Sequence, residues 1–524
     1  MIKPVSKYGK IILEHFRINM KAENPIIYAD FPDPDVIRVG DVYYMVTTSM
    51  HIMPGCPIMK SRDLVHWEIV NYVFDTLEDH SAHNLEDGRG IYGFGSYAAC
   101  LRLYKGKYYV CFSCYDLDKL YIFSADDIEK GGWERTVIPG KHVDPSLLFD
   151  AGRIYLIYGL GNIYIKELTD DLKEEKKGGR SQLLFSTSND SLILRCEGCR
   201  AYKIDGYYYL LFVEWPKLAN WRRRQICYRS KELLGGYERR IILDDDMGYK
   251  NSGIAQGAIF DTPQGEWYAM LFQDHGAVGR IPYLLPLSWE DGWPVIGEEG
   301  TAPKSFETEF SPVSAQSFIT SDEFDSGEDL LKLQWQWNHN PDNALWSLTE
   351  RPGYLRLKTG RIKKRLLAAR NTLTQRTKGP SCAAYVKLDT GGMKCGDYAG
   401  ITALQNNFAA LGVHISPEGE KYVKMCVNDG IGGEKTVEKI KYTQDEIYLR
   451  ARFYFEDGID IAKFEYSCGG EAWNEIGGLL KMKFSLAHFT GCRIGLFNYA
   501  SIESGGCADF DFFRFYEDAD MKTF

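Results

Sequence analysis

Short runs of alternating apolar and polar residues, bounded by glycine, recur through the first three-fifths of the chain. One pattern repeats five times: a turn glycine followed at once by β-branched or aromatic residues. It stands at Val39-Gly40-Asp41-Val42-Tyr43-Tyr44, Lys105-Gly106-Lys107-Tyr108-Tyr109 and Ala151-Gly152-Arg153-Ile154-Tyr155. It returns at Asp205-Gly206-Tyr207-Tyr208-Tyr209 and Gln264-Gly265-Glu266-Trp267-Tyr268. Each copy has an apolar segment before it and a strand after it. Each therefore predicts a β-hairpin whose glycine supplies the positive φ of a tight turn. The spacing of about 45 to 65 residues is that of one four-stranded blade with its loops, so five copies predict a five-bladed β-propeller. From Thr301-Ala302-Pro303-Lys304-Ser305 to Ser317 the texture turns to Ser, Pro and Glu without strand alternation, which predicts a linker. Beyond it Ile447, Leu449, Ala451, Phe453 and Phe455 share one face against Tyr448, Arg450, Arg452 and Tyr454. Ala508, Phe510 and Phe512 alternate likewise with Asp509 and Asp511. Such strands, with almost no helical periodicity, predict a β-sandwich of jelly-roll type. The expectation is an all-β protein: a five-bladed β-propeller over residues 1–305, followed by a β-sandwich over 306–524.

In a propeller the innermost strand of every blade lines a central channel, so residues leading into those strands converge although they are far apart in sequence. Seven to nine residues before the five turn glycines stand Asp33, Tyr97, Asp144, Glu197 and Gln256. Three carboxyl groups in register on otherwise apolar strands are expensive to bury unless an ion, a cationic partner or a catalytic role accounts for them. Asp35, two residues beyond Asp33 and on the same strand face, is its rival. Carboxyls facing one another across a channel suit glycosidic cleavage. One protonates the leaving oxygen, another acts on water or carbon, and a third holds up the pKa of the acid by like-charge repulsion.

Charge and composition remove other classes. Across 524 residues, 62 Lys and Arg against 72 Asp and Glu leave a net charge of −10, opposite to what a nucleic-acid backbone attracts. The single cluster Arg222-Arg223-Arg224 is too short to change that. No apolar run reaches the eighteen or so residues of a membrane span. Met1-Ile2-Lys3-Pro4 opens onto mixed charged sequence rather than a secretory leader, which makes the cytoplasm the expected address. Thirteen cysteines, an odd number, fit reduced thiols better than a disulfide framework. Cys111 and Cys114 lie on a strand, where positions i and i+3 face opposite ways and cannot chelate one ion. The pair Cys196 and Cys199 has the same spacing. Gly93-Phe94-Gly95-Ser96-Tyr97-Ala98 precedes a strand rather than a helix, so it is no dinucleotide site. His80 and His83 sit in a polar stretch that reads as a solvated loop. Neither G-x-S-x-G nor G-x-x-x-x-G-K occurs.

Asn24-Pro25 to Phe31-Pro32-Asp33-Pro34-Asp35, then Val143-Asp144-Pro145-Ser146, then Glu197-Gly198 before Tyr202-Lys203-Ile204-Asp205-Gly206-Tyr207, resembles glycoside hydrolase family 43. The stretch from Leu333-Gln334-Trp335-Gln336-Trp337-Asn338-His339-Asn340-Pro341 through Thr349-Glu350-Arg351-Pro352-Gly353 is similar to the concanavalin A-like domain that follows the propeller in its β-xylosidase-type members. The resemblance implies Asp33 as general base, Glu197 as general acid and Asp144 as the residue that tunes and orients Glu197. Inversion at the anomeric carbon is also implied, with base and acid about 6.5–9.5 Å apart. Met50 is implied as an apolar wall and Arg280 as a ligand of the sugar hydroxyls. Tyr97-Ala98-Ala99 replaces the family's usual Trp-Ala-Pro, giving a smaller platform with an added hydroxyl. His275 stands where similar proteins hold calcium or another cation through one His and waters, although the chemistry itself requires no cofactor. The function implied is exo-acting release of terminal α-L-arabinofuranose, β-D-xylose or both from pentose-containing oligosaccharides, with the second domain closing one end of the channel. An endo-acting arabinanase and a non-catalytic carbohydrate-binding protein on the same scaffold are the alternatives. No nucleic-acid or membrane partner is expected, and the sequence carries no signal for oligomeric state.

Overall fold

The computed structural model describes residues 20–187, 191–217, 221–430 and 433–517; the opening Met1–Pro4 lies outside them. Five four-stranded antiparallel sheets form the propeller. Their innermost strands are Asp35–Val39, Ser96–Tyr104, Ser146–Asp150, Leu192–Ile204 and Ala255–Asp261. Each is joined to the second strand of its blade through one of the five turn glycines, with φ of 64°, 80°, 78°, 81° and 89° at Gly40, Gly106, Gly152, Gly206 and Gly265. These left-handed values explain why glycine recurs there. Consecutive inner strands touch, and the fifth touches the first. The ring is latched by the chain leading into blade 1: Ile26 and Phe31 donate backbone hydrogen bonds to Pro282 and Arg280 of blade 5.

The Ser/Pro-rich stretch is not wholly a linker. Ser305–Thr308 is a strand paired with Met20–Glu23, so the expected 305/306 boundary falls inside it. Phe306 accounts for this, since its ring stacks on Tyr268 of blade 5 at 6.0 Å and gives an otherwise polar segment an apolar anchor.

The second domain packs two large antiparallel sheets face to face. Ile447, Leu449, Ala451, Phe453 and Phe455 are all buried as the alternation requires, but the opposite face of that strand is not simply solvated. Arg450 and Arg452 are buried too, both directed at Glu465, at 2.6 and 3.0 Å. The last strand, Cys507–Glu517, departs from strict alternation. A register shift opposite Lys387 and Leu388 turns Phe513, rather than Phe512, into the core, because a bulge reverses the facing of every later residue. The domains share a sheet: Ile52–Met53, from the first blade's polypeptide, pairs with Gln336–Asn338 at the edge of the eight-stranded sheet.

Candidate active site

At each blade's channel end one residue takes a left-handed backbone, seven to nine positions before the turn glycine. These are Asp33 (φ 54°), Ala98 (42°), Asp144 (45°), Gly198 (75°) and Gln256 (61°). Strained backbone of this kind persists where the fold over-determines it, commonly at functional sites. It re-aims the neighbouring side chains, and Asp33, Tyr97, Asp144, Glu197 and Gln256 all border one cavity of about 300 Å³. Gly198 cannot be replaced without disturbance, because a Cβ there would lie 2.7 Å from the Gln256 side chain.

Asp33 is 1% exposed. Its Oδ2 accepts from the Thr48 hydroxyl at 2.6 Å and its Oδ1 from the Arg280 guanidinium at 2.7 Å. This holds the carboxylate in one orientation and leaves lone pairs for a water. Asp144 accepts from the Gly198 amide at 2.7 Å and from the Tyr115 hydroxyl at 3.4 Å. Burial first, then the Asp33 charge, pushes Asp144 up to about 6, against the pull of the Gly198 amide, Arg200 and Arg280. Glu197 is pushed further, to about 8, by burial and then by Asp144, with Arg223 and Arg280 opposing. Two neighbouring carboxyls in one apolar cavity cannot both ionise cheaply, and the group with less compensation keeps the proton. The pocket thus presents an anchored carboxylate and a carboxylic acid that is protonated at neutral pH.

Arg280 also donates to Asp274 at 3.0 Å, and Arg223 pairs with the other oxygen of Asp274. The Arg222-Arg223-Arg224 cluster is therefore no surface patch. Arg222 is taken up by Asp244 and Asp246, Arg224 by Glu214, and Arg223 lines the cavity. Tyr97 also lines it, stacked on Tyr115 with ring centroids 4.7 Å apart. Its hydroxyl donates to the Gly93 carbonyl and so is spent within the protein. Met50 is fully buried and is not among the lining residues, with its backbone bridged to Ser96.

Sequence reasoning passed over the cavity's far wall. Leu486 and Phe489 of the second domain border the cavity, as do Ile193, Leu194 and Trp215. Phe489 lies against the Arg280 guanidinium, 3.5 Å from the ring centroid. Its loop is tied down where the Cys492 amide donates to the Ala277 carbonyl and Gln405 donates to the Thr490 carbonyl, both at 2.8 Å. Leu486 and Phe489 stand in a stretch that also holds Met482, Phe484 and Ala487, so nothing in the sequence singled them out.

Asp35 does not reach the cavity. It is fully buried, accepting from the Leu101 amide and Arg102 at 2.8 Å, with Arg200 at 3.4 Å. His275 stacks face to face on Tyr249 at 3.6 Å, has Tyr28 edge-on at 5.1 Å, and shares a hydrogen bond between its Nδ1 and Gln273 Oε1 at 3.2 Å. Calcium wants six to eight oxygens, and this aromatic cage with one amide oxygen does not fit it. Among the described residues the one group of three convergent His, Cys, Asp or Glu donors is His83, Cys114 and Asp116. Here the solvated-loop reading of His83 fails. Its ring is buried and bonded to Asp116 at 2.9 Å, because the loop is covered by the second domain, where the Asn340 amide donates to the His83 carbonyl. Asp116 also takes the Cys114 thiol and the Gly95 amide, both at 3.0 Å, so its carboxylate is already engaged by three donors of the protein.

The family model for glycosyl hydrolases family 43 matches residues 22–294, and that for the beta xylosidase C-terminal concanavalin A-like domain matches 321–516. A beta-xylosidase of Formosa agariphila is 32% identical over 94% of this chain and 90% of its own. A non-reducing end alpha-L-arabinofuranosidase of Bacteroides ovatus is 28% identical over 64% of each. A bifunctional GH43-CE protein of Bacteroides eggerthii, 43% identical, superposes on 96% of this chain with a TM-score of 0.90, and the present chain spans 64% of its length. With its propeller, its three channel carboxyls and its sandwich, the chain belongs to glycosyl hydrolases family 43.

Proposed function

We propose that the protein is an exo-acting, inverting pentosidase that releases terminal α-L-arabinofuranose, β-D-xylose or both from short arabinoxylan-derived oligosaccharides. The observation that carries this reading is the wall formed by Phe489 and Leu486. Their domain blocks one side of a cavity at the small end of ligand sites, which suits a chain terminus better than a passing polymer. The names of the Formosa and Bacteroides ovatus relatives support the two sugars. In the proposed step a water donates a proton to Asp33 as its oxygen bonds to the anomeric carbon from one side. The glycosidic C–O bond breaks on the other, and Glu197 passes its proton to the departing oxygen. Asp144 keeps Glu197 protonated until that moment, and Arg280 with Thr48 keeps Asp33 aimed. Acid, base and water complete the reaction without a cofactor, and the His275 cage takes no part in it. Work on imported oligosaccharides in the cytoplasm is part of the proposal, and thirteen unpaired cysteines fit a reducing compartment.

The test is release of 4-nitrophenol from the α-L-arabinofuranoside and the β-D-xylopyranoside side by side, with proton NMR of the first-formed sugar from the xyloside. Turnover with α-xylose appearing first is expected. Silence on both substrates, with loss of viscosity in soluble arabinan, would replace this reading with the endo-acting one.

A further inference from the structure

We propose that Arg200 is the fixed cation of the propeller axis, a positioning residue that ties the backbone of Asp33 to blades 2 and 4 beneath the reacting carboxyls. Its guanidinium is fully buried. One arm donates to the Cys199 carbonyl of its own strand at 2.9 Å. The other donates to the carbonyls of Asp33 at 3.2 Å and Ala99 at 3.0 Å, while Nε faces Asp35 at 3.4 Å. One side chain thus joins three of the five inner strands at the level where their left-handed residues turn Asp33, Tyr97 and Glu197 into the cavity. Arg102 extends the same layer to blade 3 through the Ser146 hydroxyl and the Leu147 carbonyl.

Charge balance gives the layer a second role. Four guanidiniums, Arg102, Arg200, Arg223 and Arg280, stand with four carboxylates, Asp33, Asp35, Asp144 and Asp274. The fifth carboxyl, Glu197, carries its proton, so the axis is neutral in the state ready for catalysis. Asp144 is faced by Asp33 from blade 1, Tyr115 from blade 2, Glu197 and Arg200 from blade 4, and Arg280 from blade 5. Loss of Arg200 leaves one uncompensated negative charge in a low-dielectric space, and the least anchored carboxylate then takes up a proton. A pair of guanidiniums and Asp35 thereby supplies from within the chain the electropositive centre that the His275 cage is not built to hold as an ion.

The kinetic readout rests on the pentosidase reading; the titration readout does not. Arg200→Met and Arg200→Lys are to be compared with the parent by kcat and KM on the aryl pentosides across pH, and by carboxyl NMR of protein labelled with 13C-aspartate, using Asp144→Asn to assign the Asp144 signal. For Arg200→Met, kcat is expected to fall about 100-fold, the scale of an ångström misplacement, with KM little changed and the Asp144 titration moved to higher pH. Arg200→Lys, which keeps the charge but not the fork of donors, should return the titration towards its parental position and recover only part of kcat. Parental titration and kcat in folded Arg200→Met would overturn the proposal. So would equal effects of Met and Lys, which would make the role one of packing. A parent silent on both pentosides ends the pentosidase reading and leaves the titration to decide Arg200. If Arg200→Met does not fold, the double variant Arg200→Met/Asp35→Asn, which removes both members of the buried pair, takes its place in the kinetics and is expected to lose kcat similarly.

Discussion

Asp33 and Asp35 lie two residues apart, equally buried, on the same stretch of chain, yet they live in opposite electrostatic regimes. Asp35 has a backbone amide and two complete cations around it. Asp33 has one hydroxyl and one guanidinium arm, and that guanidinium is shared with Asp274. The lower carboxylate is faced by two guanidiniums, although its Oδ1 accepts no hydrogen bond, and the upper one shares its single guanidinium with Asp274. Burial alone does not make a carboxyl reactive. What distinguishes the pair is how much of each charge the protein has already neutralised.

Variants can break this contrast in order of effect. Glu197→Ala should lower turnover of natural oligosaccharides by about 10⁴-fold, the upper end for a general acid, and lower it far less on aryl glycosides, whose leaving groups need little protonation. Equal losses on both would remove Glu197 as the acid. Asp33→Ala should lose activity on both, whereas retained turnover would remove Asp33 as the base. Asp35→Asn should cost about 3 kcal/mol in urea unfolding, because it strands Arg200 and Arg102 without their counter-charge; an unchanged midpoint would show that the lower layer carries no such load. The remaining effects are in pH. The acid is competent below its pKa, so the rate should fall as pH rises through about 8, and Asp144→Asn should move that limb down by removing the like charge. The Glu197 carboxyl is raised from an ordinary 4.5, so between about 4.5 and 8 the folded protein holds a proton that the unfolded chain has released. Stability therefore declines as pH climbs through that window. Calorimetry at pH 8 should find Glu197→Gln melting above the parent.

The blades and the positions of the three carboxyls were legible because both are tied to a local signal, a turn glycine with a fixed offset to the channel. Residues supplied by packing carried no such signal. Phe489 reaches the cavity only because the second domain is laid against blade 5, and Arg223 looks like a basic surface triplet until Asp274, fifty-one residues on, meets it. His83 reads as solvated until the loop around Asn340 covers it. The bulge that exchanges Phe512 for Phe513 leaves the residue pattern unmarked, since Phe occupies both positions. Met50 shows the converse: family likeness puts it in the wall, but it is fully buried and not among the residues that line the cavity.

The two-residue pairing of Ile52–Met53 with Gln336–Asn338 makes the propeller the last strand of the sandwich. Cut away from its neighbour, the second domain would present the Gln336–Asn338 edge bare, an invitation to sticky self-association, while the propeller would lose Phe489 from its doorway. Exchanging either half for that of a relative is therefore a transplant with a suture to match, and a graft that carries the loop through Ile52 and Met53 along with the propeller should remain soluble where one that trims it aggregates.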